Sequence, residues 1–271
     1  MEGGPLMLKD ITLGQFFPGN TVIHRLDPRT KLIILILYII ALFSAKTLTA
    51  YAVMIAVTAL IMLLAKITPK NMFTGLKPML FIILLTALLN IFYTSGTPVR
   101  PGWPITWEGL DRAFKMVLRI VLLVTGTFLL TYTTSPLSLT DGLELLLSPL
   151  KKLHVPVHEM TLMMSMALRF IPTLIEETDK IMSAQKARGA DFETGGLVQR
   201  AKALIPVLVP LFVSAFRRAD ELAVAMECRC YNGGEGRTRM KVLRFTSADI
   251  TALVLSVLFL AGMFVLKRLG I

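Results

Sequence analysis

The feature that most constrains the fold is an apolar run from residue 32 to residue 65, interrupted only by the short segment 44–49. A helix that crosses the hydrocarbon core of a bilayer needs about 20 residues, since each residue rises about 1.5 Å. The run is too long for one crossing and suits two. We therefore predict a tight hairpin of two membrane spans joined near residues 44–49.

Three more apolar segments predict three further spans, at 78–94, 116–133 and 248–266. Hydrophobic residues make up 54% of the chain and charged residues only 17%, a balance that soluble domains rarely have. The predicted fold class is an all-α polytopic membrane protein with about five transmembrane helices and a cytoplasmic domain of long crossed helices. The predicted domains are an N-terminal arm with spans one to four (1–134), this cytoplasmic domain (135–247) and a C-terminal span (248–271).

Lysines and arginines are distributed unequally between the two sides of these spans. Thirteen lie on the side of the N-terminal arm: Lys9, Arg25, Arg29, Lys31, Lys66, Lys70, Lys77, Lys151, Lys152, Arg237, Arg239, Lys241 and Arg244. Six lie on the other side: Lys46, Arg100, Arg112, Lys115, Lys267 and Arg268. Because cytoplasmic loops carry the excess of basic residues, we predict a cytoplasmic N-terminus and central domain and an external C-terminus.

The formal net charge of +11 does not by itself indicate a nucleic-acid-binding protein. Between residues 135 and 247 the basic residues barely outnumber the acidic ones, and most of the surplus flanks the spans, where it sets topology and meets anionic lipid. The sequence has no basic patch with interleaved aromatic residues. Trp103 and Trp107, ahead of span four, are typical of interfacial anchors. We expect membrane lipid as a partner and no nucleic acid.

Patterns typical of catalysis are missing from the sequence. It has no P-loop, no nucleophile elbow and no zinc-protease motif. His154 and His158 lie four residues apart beside Glu159, but Pro156 falls between them, which favours a surface pair over a zinc site. We therefore predict that the chain is not an enzyme and holds no cofactor.

Two further features could suggest chemistry and are given a structural interpretation. Cys228 and Cys230 are the only cysteines, and no additional ligand at metal-binding spacing accompanies them, so we predict no metal site. Arg119 lies three residues inside span four, from where its side chain can extend to the membrane surface beside Arg112 and Lys115. We assign it no functional role.

The central domain contains two long, apolar helices. The first is predicted from Val157 to Ala187 with a kink near Pro172, and the second over 197–228, bent by Pro206 and Pro210. Their apolar stretches, 160–175 and 203–216, are shorter than a span, and the first contains Arg169. We predict helices that lie beside the membrane, with an apolar surface that a protein partner covers.

Each of these helices ends on a three-residue motif with an arginine at its centre. The first ends on Ala187-Arg188-Gly189 and the second on Cys228-Arg229-Cys230, forty-one positions later. The similarity extends upstream, because Asp179 and Asp220 each precede the arginine by nine residues. An arginine near a helix C-terminus suits the partial negative charge there, so simple capping explains one of them. Two with matched surroundings predict a paired surface for a paired partner.

These residues resemble the transmembrane T component (EcfT/CbiQ type) of energy-coupling factor (ECF) transporters, a family that includes the equivalent subunit of cobalt transporters. The resemblance covers nearly the whole chain and is strongest over 135–231, including the segments ALRFIP at 167–172 and DELA at 220–223. The paired arginine motifs carry most of it. Cys228 and Cys230 depart from the small-residue pattern that is usual around the second arginine.

The resemblance implies an energy-coupling role in a cell membrane. In that family two arginines, here Arg188 and Arg229, dock into two cytoplasmic ABC-type ATPase subunits. The adjoining residues Ala187, Gly189, Cys228 and Cys230 would share this partner-binding site. The helices and spans would also hold a separate membrane subunit, the S subunit, which captures a vitamin or a metal ion. ATP-driven movement of the ATPases would then reorient that subunit.

A different function remains open at this stage. If both long helices of the central domain crossed the bilayer, the chain would have six or seven spans and could act as a stand-alone channel or secondary transporter. Arg188 and Arg229 would then lie in loops between spans. Labelling of Cys228 and Cys230 by impermeant thiol reagents distinguishes the two topologies.

Overall fold

The structure, a computed structural model, describes residues 16–98, 105–192, 194, 196–233 and 243–269. The chain divides into two compact units. One, called the bundle here, consists of residues 14–145 and 242–271. The other contains residues 146–241 as far as they are described. Most of the helix that begins at Pro136 therefore belongs to the bundle. The predicted start of a cytoplasmic domain at residue 135 stays a prediction.

Helices dominate both units. They are α1 (Val22–Arg25), α2 (Pro28–Ser44), α3 (Leu48–Ala65), α4 (Pro69–Leu76), α5 (Leu80–Tyr93), α6 (Trp107–Thr133), α7 (Pro136–Leu147), α8 (Val157–Ala187), α9 (Leu197–Glu227) and α10 (Ser247–Leu269), with 3₁₀ turns at Lys77–Met79 and Ser148–Leu153. In the described residues, the one strand-like feature is an isolated bridge between Pro98 and Thr106. The helical content of 82% confirms the all-α fold class.

The predicted hairpin of spans one and two is α2 and α3, and the sequence explains both of its ends. Asp27 caps the N-terminus of α2 through its side chain, and Pro28 occupies the first turn, where its missing N–H is not needed. Thr47 caps α3 in the same way. At the far end of α3, Lys66 takes a left-handed conformation (φ 54°) that stops the helix.

The core of the bundle forms where α2, α3, α6 and α10 meet. Leu42, Tyr51 and Met54 are fully buried there, and Met263 of α10 packs with them. The Tyr38 hydroxyl hydrogen-bonds to Thr58 at 2.9 Å and donates to the carbonyl of Leu122 at 3.2 Å. A hydrogen-bonded hydroxyl is tolerated at this depth, because its polar atom is not left unpaired.

Arg119 makes contacts that the sequence did not predict. Its Nε donates to the Tyr51 hydroxyl at 3.1 Å, and its guanidinium donates to the carbonyl of Ala45 at 3.3 Å and lies 5.6 Å from the centre of the Phe43 ring. The side chain therefore points to the turn between α2 and α3, the segment predicted to join the first two spans at the membrane surface, where the end of α2 offers a carbonyl within reach of α6. The predicted extension of Arg119 to that surface stays a prediction.

Five helices among the described residues are long and apolar enough to cross a membrane: Leu48–Ala65, Pro69–Tyr93, Trp107–Thr133, Val198–Glu227 and Ser247–Leu269. Four of them contain predicted spans. The first predicted span, α2, has 17 residues, at the lower limit for a crossing. The remaining one of the five helices is α9, which we predicted from sequence to lie on the cytoplasmic side. The polytopic class is confirmed, and the cytoplasmic position of α9 stays a prediction.

Two spans begin earlier than predicted. The helix of span three starts at Pro69 with α4 and continues through the 3₁₀ turn into α5. The helix of span four starts at Trp107, because the Thr106 side chain caps it by accepting from the N–H of Gly109. Trp107 is exposed, as a membrane anchor would be, and Trp103 lies outside the described residues.

Candidate functional site

The first arginine motif closes α8 in a complete helix-capping arrangement. The N–H of Gly189 donates to the carbonyl of Lys186, and the N–H of Ala190 donates to the carbonyl of Gln185, both at 3.0 Å. These two bonds define a Schellman motif with Arg188 at the C-cap. The motif needs a left-handed residue directly after the cap, and Gly189 supplies it with φ 89°.

The second motif closes α9 with the same two bonds. The N–H of Cys230 donates to the carbonyl of Glu227 at 2.8 Å, and the N–H of Tyr231 donates to the carbonyl of Met226 at 3.0 Å. Arg229 therefore holds the position that Arg188 holds in α8. Cys230 takes the left-handed conformation with φ 56°, although it has a Cβ that disfavours it. Cys230 therefore stands at the position that Gly189 has in the first motif, and its backbone keeps the left-handed conformation.

Both motifs are open to solvent in the structure. Ala187, Arg188, Gly189, Cys228, Arg229 and Cys230 are all exposed, and both cysteines are free thiols. Neither guanidinium has a partner among the residues that the structure describes. Each arginine is thus the exposed end of a long helix. We call these two motifs the first tip (187–189) and the second tip (228–230).

The helices that carry the tips pair antiparallel, and we call the α8–α9 pair the long hairpin. Glu177 of α8 accepts hydrogen bonds from the Ser214 hydroxyl and, at 2.8 Å, from the Arg218 guanidinium. These two donors hold the pKa of Glu177 below its ordinary value, the Ser214 bond having the largest effect and partial burial opposing it. The carboxylate thus stays charged at neutral pH and joins the two helices.

A second contact between these helices follows from the prolines of α9. Pro210 has no N–H, so the carbonyl of Pro206 lacks the partner that a helix normally provides four residues later. The side-chain amide of Gln185 donates to that carbonyl at 3.3 Å. Pro206 and Pro210 therefore lie inside a continuous helix, and one of the carbonyls that they expose fixes the register against α8.

The two tips are placed symmetrically about this crossing. Glu177 precedes Arg188 by eleven residues, and its partner Arg218 precedes Arg229 by eleven. Equivalent positions of the two helices thus meet at a local pseudo-two-fold axis. Because the helices are antiparallel, each tip lies about 16 Å along its own axis from the crossing, in opposite directions. The arrangement presents two similar cationic ends that are roughly 30 Å apart.

The other residues considered from sequence form no site in the structure. His154 ends the second 3₁₀ turn with φ 61° and is exposed, and His158 is in the first turn of α8. No group of three or more His, Cys, Asp or Glu able to hold a metal occurs in the described part of the chain. Glu177, Ser214 and Gln185 were missed, although the repeat of forty-one residues that relates the tips also relates Glu177 to Arg218.

The long apolar helices of the structure define the class of the protein, which is an all-α polytopic membrane protein. The profile of the CbiQ family, described as "Cobalt transport protein", matches residues 19–240. The chain therefore belongs to the family of EcfT/CbiQ-type transmembrane proteins, which confirms the resemblance noted from its motifs.

Curated relatives agree over nearly the whole chain. The protein is 54% identical to the energy-coupling factor transporter transmembrane protein EcfT of Thermosediminibacter oceani, over 94% of this chain and 97% of the relative. It is 50% identical to EcfT of Ruminiclostridium cellulolyticum, over 96% and 98%. It is 48% identical to EcfT of Bacillus subtilis, over 97% and 100%. These relatives are named as transporter transmembrane proteins and not as enzymes.

Proposed function

We propose that the chain is the energy-coupling subunit of an ECF-type importer, and that Arg188 and Arg229 each dock into one of two cytoplasmic ABC-type ATPase subunits. The observation that carries this proposal is the identical capping geometry of the two tips on either side of one crossing point. Two equivalent ends suit two equivalent acceptors. A guanidinium forms forked hydrogen bonds to carboxylates, so each arginine is suited to an acidic groove.

The pairing of α8 with α9 supports a position of the long hairpin outside the bilayer. The part of α8 that contacts α9 carries Glu176, Glu177, Asp179, Lys180 and Lys186. Charged side chains in a membrane span are expensive, and five within eleven residues exceed what a crossing tolerates. If α9 crossed the bilayer in this pairing, it would take the charged end of α8 with it. The pair therefore fits the cytoplasmic side.

Apolar side chains of the long hairpin support a second partner. Val209, Phe212, Val213 and Phe216 follow one another along α9, and each is more than half exposed. A cytoplasmic helix with such a surface needs a cover, since a large apolar patch in water is unfavourable. We propose that this cover is the S subunit, a separate membrane protein that captures a vitamin or a metal ion. The solute would be set by that subunit.

Charge reversal at both tips tests the docking proposal. Arg188→Glu with Arg229→Glu should reduce co-purification of the ATPases at least tenfold, because a reversed charge in a docked pair costs on the order of 2–5 kcal/mol. Solute uptake should fall with it. Arg217→Glu is the matched control, an exposed arginine of α9 far from both tips. Unchanged assembly and uptake in the doubly reversed chain would refute the proposal.

Substitution by lysine separates charge from geometry. Arg188→Lys or Arg229→Lys keeps the positive charge and loses the planar fork. We expect the ATPases to co-purify with either variant but at lower occupancy, and uptake per complex to fall. Wild-type uptake from both lysine variants would mean that a point charge is sufficient and that the forked contact is absent.

The length and apolar character of α9 favour one alternative, a stand-alone channel or secondary transporter with additional spans. Against it, three of the four buried acidic or basic side chains of the described bundle, Asp27, Lys31 and Asp249, lie at helix starts, and the fourth, Glu144, lies in α7, outside the predicted spans. Impermeant thiol reagents decide between the two, since the chain has only Cys228 and Cys230. We expect no labelling from outside intact cells and full labelling in inside-out vesicles. External labelling would overturn the cytoplasmic position of the second tip.

The same experiment tests location. The proposal places the protein in the cell membrane of a prokaryote with its N-terminus in the cytoplasm, in agreement with the excess of basic residues on that side. The curated relatives are bacterial proteins. Labelling of a cysteine introduced at the exposed Lys46 should show the opposite sidedness to Cys228, because one span separates that turn from the N-terminus.

A further inference from the structure

A buried polar cluster at the start of α2 joins segments that are far apart in the sequence. The Asp249 carboxylate, 1% exposed, accepts from the backbone N–H of Asp27 at 2.7 Å and from that of Thr246 at 2.8 Å. Asp27 directly precedes α2, and Thr246 directly precedes α10. One carboxylate thus caps the start of two helices, and an acid is favourable there because both helix dipoles are positive at that end.

Arg29 fastens the same segments a second time. Its guanidinium binds both carboxylate oxygens of Asp27, at 3.2 and 3.1 Å, and donates to the carbonyl of Leu243 at 3.1 Å. It also lies 4.3 Å from the centre of the Phe245 ring. The segment 243–246 that leads into α10 is therefore tied to the first turn of α2.

Lys31 makes the corresponding connection to the end of α6. Its ammonium donates to the carbonyl of Thr133 at 2.9 Å and to the Thr134 hydroxyl at 3.1 Å. Lys31 also interacts electrostatically with Asp27 and Asp249. Two carboxylates and two cations balance in the cluster, so the buried charges are mutually compensated.

The next helix is close to the same turn. A Cβ added to Gly142 of α7 would lie 2.9 Å from the Cβ of Pro28, which means that α7 approaches the start of α2 as closely as only glycine permits. The chain therefore leaves the bundle through Thr133, Thr134 and α7, and returns through 243–246. Both passages contact one short segment, residues 27–31.

We propose that Asp27, Arg29, Lys31 and Asp249 form a clasp that holds both ends of the segment carrying the long hairpin, and that the clasp sets how much solute is moved per ATP hydrolysed. This role rests on the energy-coupling function proposed above. A displacement of the tips moves the bundle only if the two passages of the chain that leave and re-enter the bundle stay rigid. Residues at the ends of helices are the usual places where such motion is absorbed. The four are positioning residues that act through these passages.

Asp249→Asn tests the clasp in the assembled complex. The amide keeps one acceptor and turns an NH₂ group towards a second N–H donor. ATP hydrolysis and uptake are measured on the same proteoliposomes, with a radiolabelled solute chosen from a panel of vitamins and Co²⁺ as the one that the unmodified complex accumulates. Loss of one charge-assisted hydrogen bond changes an equilibrium by about tenfold, so we expect uptake per ATP to fall by up to that factor. ATPase co-purification should be unchanged.

One control variant and a second clasp variant separate an effect on coupling from an effect on folding. Asp111→Asn removes an exposed acid of α6 that pairs with Lys115 at 2.6 Å, and should leave uptake per ATP unchanged. Arg29→Lys keeps the buried charge but cannot bind Asp27 and Leu243 together, and should give an intermediate ratio. If Asp249→Asn does not assemble, Arg29→Lys decides. A wild-type ratio in an assembled clasp variant overturns the proposal.

Hydrogen exchange of the full-length chain in detergent tests the clasp without any partner. The amides of Asp27 and Thr246 should be protected, and Asp249→Asn should speed their exchange by about tenfold, whereas Asp111→Asn should not. Fast exchange of both amides in the unmodified chain overturns the clasp. If the unmodified complex shows no ATP-driven uptake, the proposed function fails and the coupling role with it, while exchange still reports the clasp itself.

Discussion

The bundle and the long hairpin differ in where their apolar side chains lie. In the bundle, Leu42, Tyr51 and Met54 are fully buried against one another, and the apolar residues left outside suit contact with lipid. In the described residues of α8 and α9, only Val157, Thr161 and Val207 are buried. The hairpin is held by polar contacts at its crossing. The bundle thus folds around its own core, whereas the described part of this chain leaves most apolar residues of the hairpin uncovered, as the proposed partner requires.

The largest effect should come from a cavity in the bundle. Tyr51→Ala removes a fully buried ring and the hydroxyl that Arg119 binds, so we expect a loss of about 3–5 kcal/mol in the free energy of unfolding. Phe212→Ala in the long hairpin, where the ring is 61% exposed, should change it by less than about 0.5 kcal/mol. Thermal unfolding in detergent measures both. Equal losses would show that the hairpin has a core of its own.

For binding of the S subunit we expect the opposite order, with larger effects from substitutions in the long hairpin than from those in the bundle. Phe212→Ala and Phe216→Ala should each weaken binding of the S subunit, by up to about 1.5–3 kcal/mol if the ring becomes fully covered. Co-purification of that subunit at graded detergent concentrations measures the effect. The control is Leu255→Ala in α10, a residue of the bundle that is 66% exposed and faces lipid in our interpretation. If Leu255→Ala weakens assembly as much, the hairpin is not the covered surface.

The two tips offer a comparison within the hairpin itself. Cys230→Gly should stabilise the end of α9 by about 1 kcal/mol, since φ 56° is strained for a residue with a Cβ. Gly189→Ala should destabilise the end of α8 by a similar amount. Exchange of the Tyr231 and Ala190 amides reports each motif. Cys228→Ser, at φ −60°, should have no effect on either amide. Unchanged exchange in Cys230→Gly would mean that the strain is relieved elsewhere.

Much of the bundle was predictable because membrane spans have a strong local signal. The runs of apolar residues fixed the existence of the helices, and their length fixed the turn between α2 and α3. Helix starts were harder, because Thr106 and the short helix α4 carry weaker signals than the apolar runs. The tips were found from sequence because a repeat of residue types at fixed spacing needs no tertiary information.

Contacts between distant segments were beyond the sequence. Thr246 and Asp249 do form a recognisable capping pattern, with an acid three residues after a threonine. Nothing local, however, shows that Asp249 also binds a backbone group 222 positions away. The same holds for Arg119, whose direction depends on a carbonyl that α2 leaves unpaired. The conformation of Cys230 was unexpected because left-handed backbone is normally left to glycine.

The smallest predicted effect concerns the polar crossing of the hairpin and depends on pH. The pKa of Glu177 is lowered in the folded chain, chiefly by the Ser214 hydroxyl, so its contribution to stability is complete above the ordinary pKa of an unfolded glutamate and is lost as pH falls through the folded value. Ser214→Ala should raise this pKa and move the loss to higher pH. The group is partly exposed, so the change stays below about 1 kcal/mol. Hydrogen exchange of α8 between pH 3 and 6 measures it, with Glu176→Gln on the exposed neighbouring residue as control. A hairpin whose opening has the same pH dependence in Ser214→Ala and in the unmodified chain would show that its crossing is held by apolar contacts after all, as in the bundle.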